Sequence, residues 1–129
     1  MKANFEKSFD NSYSYFREIQ ILTYLNQRNA PVPVLLEGFP REKIITMEFV
    51  GENLYDRRNF LSFQNKLGVS LALIQAIYSI YELGILHYDV ALRNLTIKEN
   101  DTRKGFRLYV IDFSVSTSSI FKLQKPLWI

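Results

Sequence analysis

The chain of 129 residues has 16 Lys and Arg against 13 Asp and Glu, and its composition is 47% hydrophobic, 15% aromatic and 22% charged. This is typical of one globular domain with a core of its own. Scattered basic residues argue against a nucleic-acid face, and the absence of cysteine excludes disulfides and Cys-based zinc sites. Polar residues interrupt the longest apolar run, 67–83, and the N-terminus lacks signal-peptide order. We therefore expect a cytoplasmic protein without a membrane span or a nucleic-acid partner.

The first predicted element is a helix over Ser12 to Gln27. Glu18, Ile21, Leu22 and Leu25 recur at the spacing of one helical face. Glu18 is thus a carboxylate at the edge of an apolar stripe. It either lies on the helix flank and points to water, or takes part in a site.

Two apolar segments follow, Pro31 to Phe39 and Lys43 to Val50, around the turn at 40–42. Their pattern predicts a pair of strands. Gly51-Glu52-Asn53 then breaks the pattern directly after the second strand.

The second half begins with a predicted short helix over Leu54 to Phe60 and a long, largely buried helix from Ser62 or Phe63 to Leu83. Gly84 is suited to cap the long helix. Leu95 to Lys98 and Phe106 to Asp112 read as a hairpin around a polar loop.

Four polar residues that could take part in a reaction lie between the long helix and the hairpin or at the hairpin's end. His87, Asp89 and Asn94 form the pattern H-x-D-x-x-x-x-N, and Asp112 ends an apolar strand. Mg²⁺ prefers oxygen ligands and often takes only one or two from the protein, with substrate phosphates completing the shell. Asp112 and Asn94 suit that task, whereas Asp89 suits accepting the proton of an attacking hydroxyl.

The segment 87–94 resembles the catalytic loop H-R-D-L-x-x-x-N of the protein-kinase-like superfamily, and Asp112-Phe113-Ser114 resembles its D-F-G. The resemblance implies that Asp89 is the catalytic Asp, that Asn94 and Asp112 hold Mg²⁺, and that His87 braces the loop. Ala91 and Arg93 are similar to residues of the loop in tyrosine-specific kinases.

The same resemblance implies an ATP site. The backbone around Glu48 to Val50 would bind adenine at a hinge, with Met47 facing the back of the pocket or simply packing in the core. Glu18 would correspond to the C-helix Glu that pairs with a phosphate-binding lysine. Lys2 stands at roughly the expected distance and is preferred to Lys7, which is closer.

The fold predicted from this resemblance is α+β and protein-kinase-like. Residues 1–50 would form a partial small lobe with the C helix and the strand pair, 51–53 the hinge, and 54–129 a reduced, mainly helical large lobe.

The chain departs from the family pattern at both ends. No Gly-rich loop precedes the first helix, where only about 11 residues stand, and 15 residues follow Ser114. The expected result is a truncated or reduced domain with exposed apolar patches.

The resulting functional prediction is an ATP- and Mg²⁺-dependent phosphotransferase, first of all a protein kinase that binds nucleotide and acts on hydroxyl side chains of a protein substrate. Two alternatives remain. One is a pseudokinase-like interaction module with a protein partner and little or no turnover. The other is a small-molecule kinase, which fits the long gap between Asn94 and Asp112. The sequence leaves the acceptor and the oligomeric state open.

Overall fold

The computed structural model describes residues 4–99, 106–113 and 116–118. Lys2 and Ser114, which figure in the sequence predictions, lie outside these ranges. The described elements follow in the order β1 (Phe5–Ser8), α1 (Ser12–Asn26), β2 (Leu35–Phe39), β3 (Ile44–Met47), β4 (Glu52–Asn53), α2 (Leu54–Arg57), α3 (Phe63–Glu82), β5 (Ile85–Leu86), β6 (Leu95–Glu99), β7 (Phe106–Val110) and β8 (Thr117–Ser118). The mixed architecture with small antiparallel sheets agrees with the α+β prediction.

The first sheet has three antiparallel strands in the order β1-β3-β2. Phe5 lies opposite Met47 and Lys7 opposite Ile45, which fixes the register of β1 on β3. The sequence predicted only the β2–β3 pair, so β1 is a correction. Its four residues are too few for an alternating pattern to be recognised against background.

Helix α1 confirms the predicted helix almost to the residue. Asn11 caps it, since its side-chain oxygen accepts a hydrogen bond of 2.8 Å from the Ser14 N–H. The buried face consists of Tyr15, Glu18, Ile21, Leu22 and Leu25. Glu18 therefore faces inward, and the expectation of a solvated flank position is wrong.

Helix α3 begins and ends close to the predicted limits, with Ser62 as its N-cap and Gly84 in the left-handed region at φ 89°. The prediction that it is largely buried is wrong, because only one face packs on the core. Five apolar residues of the helix are between 54% and 65% exposed: Leu67, Leu71, Ile74, Tyr78 and Tyr81. The expectation of exposed apolar patches is thus confirmed. None of the helices in the described ranges has the length and apolarity needed to cross a bilayer.

The predicted hairpin is present as β6 and β7, and β4 joins it to give the order β4-β6-β7. The strand β4 lies within the predicted hinge 51–53, so this segment pairs with β6 at Ile97 and Thr96. Gly51 turns the chain into β4 at φ 98°, and a Cβ there would lie 2.1 Å from the Ile97 carbonyl oxygen. The close approach of two backbones explains the glycine.

Gly51→Ala should destabilise the protein by at least about 2 kcal/mol, because it combines a left-handed φ with a backbone clash. Gly68→Ala is the matched control: Gly68 lies inside α3, and its added Cβ would meet Phe106 at 3.7 Å, an ordinary contact. We expect the control to gain about 0.5–1 kcal/mol. Urea unfolding of both variants measures this, and equal effects would contradict the account.

Candidate functional site

Six segments of the described chain surround one cavity of about 240 Å³. They are β1, α1, the chain just before β2, β3, the short 3₁₀ turn Leu92–Asn94 and the chain just after β7. The lining residues are Phe5, Lys7, Glu18, Leu22, Pro33, Met47, Arg93, Asn94, Ile111 and Asp112. Both predicted metal ligands, Asn94 and Asp112, are therefore on the wall of the same cavity.

An ion-pair network stands at the centre of the cavity wall. Lys7 Nζ lies 3.1 Å from Glu18 Oε2 and 3.2 Å from Asp112 Oδ1. The second oxygen of Glu18 accepts a hydrogen bond of 2.8 Å from the Phe113 N–H. One carboxylate on α1 thus connects β1 to the segment that carries Asp112.

Glu18 is 1% exposed, and this burial raises the pKa of its carboxyl group above the ordinary value. The ammonium of Lys7 and the Phe113 N–H act in the opposite direction, since both favour the charged form. The nearby Asp112 adds to the upward shift of the Glu18 pKa. The pair with Lys7 therefore offsets the desolvation of the carboxylate only in part.

Lys7 is the lysine that the structure brings to Glu18. The sequence favoured Lys2, which lies outside the described residues, over Lys7, which is closer to Glu18 along the chain. Phe5 and Lys7 alternate along β1, which places both side chains on one face, but the strand is too short for its sequence to indicate this. Both residues line the cavity.

His87 is buried and uses both ring nitrogens within the protein. Its Nε2 lies 2.9 Å from the Ile111 carbonyl oxygen, and its Nδ1 accepts a hydrogen bond of 3.1 Å from the Asp89 N–H. These two partners require a neutral ring with the proton on Nε2. The ring also meets Phe113 edge-on at 5.0 Å. This arrangement joins the loop that bears Asp89 to the chain that bears Asp112.

Asp89 is held from two sides. Arg93 Nη2 contacts both of its carboxylate oxygens, at 2.9 and 3.1 Å, and Asn94 Nδ2 donates to Oδ2 at 2.9 Å and to the Asp89 carbonyl at 2.8 Å. The ion pair with Arg93 is a further contact that the sequence analysis did not predict. Its signal is the i, i+4 spacing of opposite charges. Because the Asn94 amide nitrogen is occupied, Oδ1 is the Asn94 atom suited to a cation.

Asp112 follows β7 with a φ of 63°, a left-handed conformation that Asp tolerates better than most residues. The preceding Ile111 N–H donates to the Asn94 carbonyl at 2.9 Å. This main-chain bond brings the two predicted metal ligands next to each other. A main-chain position of this kind, away from regular structure, is common at functional sites.

Glu48 and Val50 lie elsewhere. Their side chains border a second, more polar cavity of about 210 Å³ together with Asn26, Asn29, Ala30, Val32, Val34, Arg107 and Tyr109. Glu48 donates its N–H to the Val34 carbonyl at 2.9 Å, and the Val50 carbonyl accepts from Thr96 Oγ1 at 2.8 Å. Met47, three residues before Val50, is buried and borders the main cavity. Met47 therefore borders the same cavity as the ion-pair network, whereas Glu48 and Val50, whose backbone is the predicted adenine contact, border the second cavity.

A protein-only metal site is not evident within the ranges that the structure describes, where no group of three or more His, Cys, Asp or Glu side chains could hold an ion. The two predicted ligands provide one carboxylate, that of Asp112, and one amide oxygen, that of Asn94. A set this small suits Mg²⁺ bound together with phosphates, because this ion commonly keeps waters and takes few protein ligands.

Comparisons with known proteins point in the same direction as the motifs. No family model matches the chain. Over 101 residues, 78% of this chain, it is 29% identical to the KEOPS complex subunit Bud32 of Pyrococcus abyssi, of which the match covers 43%. Over 77 residues, 56% of this chain, it is 36% identical to a protein named as a probable serine/threonine-protein kinase of Dictyostelium discoideum, of which the match covers 15%. The chain therefore spans less than half of each of these relatives. The two partial matches support a protein-kinase-like relationship.

The buried Glu18 predicts a specific pH dependence. Because its folded-state pKa lies above the unfolded value of about 4.5, the stability that Glu18 contributes is complete below that pH and declines as the pH rises through the raised pKa. This decline should be absent in Glu18→Gln. In urea unfolding between pH 4 and 8, the free energy of unfolding of the wild type should fall relative to that of the variant from about pH 4.5 upward.

Glu37→Gln provides the control, since Glu37 is an exposed carboxylate on β2 and its loss makes the same change in net charge. A difference between wild type and Glu18→Gln that stays constant over the whole pH range would show that Glu18 is not held in this environment.

Proposed function

We propose that this protein is an ATP- and Mg²⁺-dependent phosphotransferase that transfers phosphate to hydroxyl groups, in the manner of a protein kinase. The observation that carries the proposal is the contact of Lys7 with both Glu18 and Asp112 on the wall that also contains Asn94. The Lys7 ammonium between two carboxylates is suited to binding phosphates. Asp112 and the neighbouring Asn94 amide oxygen are suited to binding a divalent metal.

In this proposal Lys7 binds the phosphates and Glu18 orients it. The Lys7 ammonium has three hydrogens, and its contacts with Glu18 and Asp112 use two of them. Glu18 is itself fixed by the Phe113 N–H, so the ammonium is held in place from the protein side. The role first given to Lys2 passes to Lys7.

Asn94 and Asp112 would hold Mg²⁺. When bound, the ion neutralises charge on the transferred phosphate and orients it. On the protein side, the Ile111–Asn94 main-chain bond fixes the spacing of the two ligands, and Asp89 fixes the orientation of the Asn94 amide. His87 braces the same assembly through Ile111.

Asp89 would accept the proton of the attacking hydroxyl or orient that hydroxyl. The carboxylate is suited to this role because its backbone is fixed by His87 and its side chain by Asn94. Arg93 covers the same two oxygens, so an incoming hydroxyl has to share them with the guanidinium or displace it.

The nucleotide base would pack against Phe5 and Met47, which are cross-strand neighbours on β1 and β3 and both border the cavity. The Glu48 N–H and the Val50 carbonyl already have partners within the protein. Hinge contacts to the base would therefore come from the Glu48 carbonyl and the Val50 N–H. With this hinge, residues 1–50 and 54–129 form the two lobes that the proposal requires.

A second candidate is an interaction module with little or no turnover. The observation that favours it is the Arg93 contact with both oxygens of Asp89, which occupies the group that the reaction needs. The two candidates share the fold and the nucleotide site, and differ in whether phosphate is released.

Mg²⁺–ATP should raise the thermal midpoint of the wild type, because a ligand at ten times its Kd adds about 1.4 kcal/mol of stability, or a few °C for a domain of this size. Asp112→Asn should lose most of this Mg²⁺-dependent shift, since it removes the charged ligand while Asn still tolerates the left-handed backbone. Differential scanning fluorimetry with and without Mg²⁺ measures both. A full shift in Asp112→Asn would contradict the metal assignment.

Asp89→Asn separates the two candidates. It should keep the Mg²⁺–ATP shift of the wild type but reduce phosphate release by about 10² or more. The substitution removes the proton acceptor, while the amide oxygen of Asn can still accept the Asn94 Nδ2 hydrogen bond that orients the proposed metal ligand. Wild type that binds Mg²⁺–ATP without releasing phosphate above the level of Asp89→Asn would establish the interaction module instead.

A further inference from the structure

Asn53 makes two side-chain hydrogen bonds that point in different directions. Its Oδ1 accepts a bond of 2.9 Å from the Tyr55 N–H and so caps α2. Its Nδ2 donates a bond of 2.5 Å to the Arg93 carbonyl, forty positions later in the chain. Capping alone requires only the oxygen, so the second bond is an additional property of the amide.

The backbone next to Asn53 is held against β6, and the second bond extends beyond that strand. The chain from Val50 to Asn53 runs along β6, with the Thr96 hydroxyl on the Val50 carbonyl and Gly51 against Ile97. These contacts join the proposed hinge segment to the strand β6. Among them, the Asn53 side chain extends past the strand to the 3₁₀ turn that carries Arg93 and Asn94.

The bond acts on a single peptide plane. The Arg93 carbonyl and the Asn94 N–H belong to the same planar unit. Asn53 holds the carbonyl, while the Asn94 N–H donates to the Ala91 carbonyl at 2.9 Å. The plane is thus fixed at both edges, and it sets the directions in which the Arg93 and Asn94 side chains leave the main chain. Both side chains bind Asp89.

We infer that Asn53 is a positioning residue that ties the catalytic loop to the proposed hinge segment 51–53. This rests on the proposed function, which gives Asn94 and Asp89 their roles. Through the Arg93–Asn94 peptide, Asn53 would hold Asn94, the proposed metal ligand, and Asp89, the proposed proton acceptor, in a fixed position relative to the proposed hinge. It contacts neither the phosphates nor the acceptor.

The test uses substitutions that keep the capping oxygen and remove the amide N–H. Asn53→Asp and Asn53→Ser both retain an oxygen for the Tyr55 N–H. Asp has no donor, and the Ser hydroxyl lies one atom closer to the main chain than the Asn amide nitrogen, so it falls short of the Arg93 carbonyl. Asn11→Asp makes the same amide-to-carboxylate change at the N-cap of α1, where only the oxygen is used to cap Ser14. Asn11 therefore controls for the chemistry of the substitution.

We expect both Asn53 variants to lower kcat by about tenfold, with the KM for Mg²⁺–ATP changed by less than about twofold and the thermal midpoint by less than about 2 °C. Asn11→Asp should match the wild type in all three. A merely structural role would instead move the thermal midpoint and leave kcat unchanged. Wild-type kcat in both Asn53 variants would overturn the inference.

Amide hydrogen exchange provides a readout that does not depend on turnover. Exchange in the segment 89–94 should be about fivefold faster in both Asn53 variants than in the wild type and in Asn11→Asp, because the loop loses one anchor. If the wild type shows no phosphate release, the proposed enzymatic function is wrong. The exchange measurement still tests whether Asn53 anchors the segment 89–94, because it does not depend on turnover. Unchanged exchange in 89–94 would contradict the inference that Asn53 anchors this segment.

Discussion

The arrangement of the site depends on one buried carboxylate. Glu18 is placed by helix periodicity on the inner face of α1, where an isolated charge would be costly. The cost is reduced because Lys7 approaches from β1 and the Phe113 N–H from the chain after β7. Neither partner is close to Glu18 in sequence. The contacts of Glu18 therefore join β1, α1 and the segment that carries Asp112. They also place the Lys7 ammonium at the cavity, where it contacts Asp112.

A second set of contacts connects this network to the loop that bears Asp89. His87 and Asn94 both bind the main chain of Ile111, one residue before Asp112. Asp89 is then held by Asn94 and Arg93, and Arg93 by Asn53. The contacts with Ile111 and the contact of Asn53 with Arg93 join segments distant in sequence, whereas the contacts of Asp89 with Arg93 and Asn94 lie within one loop. This explains how a chain that spans less than half of its matched relatives can still bring the residues of the two motifs together. The exposed apolar face of α3 borders this network at His87, which lines a cavity together with Ile74, Tyr78 and Tyr81 of that face.

Much of this could be predicted from the sequence, for identifiable reasons. Helix α1 and the hairpin β6–β7 have long, regular patterns, and the local order of His87, Asp89 and Asn94 is a recognisable signal. The burial of Glu18, the strand β1 and the choice of Lys7 could not be predicted, because they depend on contacts across the chain. Helix α3 is apolar on nearly all sides, so its pattern could not show which face is exposed. The pair Asp89–Arg93 has a local spacing signal, but the spacing alone does not distinguish a surface pair from a site.

The central claim is that Lys7 and Glu18 interact directly across the cavity wall. A double-mutant cycle with Lys7→Met, Glu18→Gln and the double variant, measured as free energies of unfolding at pH 7, tests it without requiring ligand, metal or turnover. We predict a coupling energy of about 1–3 kcal/mol, since the pair is largely shielded from solvent and joined by a hydrogen bond. A coupling energy below about 0.5 kcal/mol would mean that the two residues act independently, and would contradict the site described above.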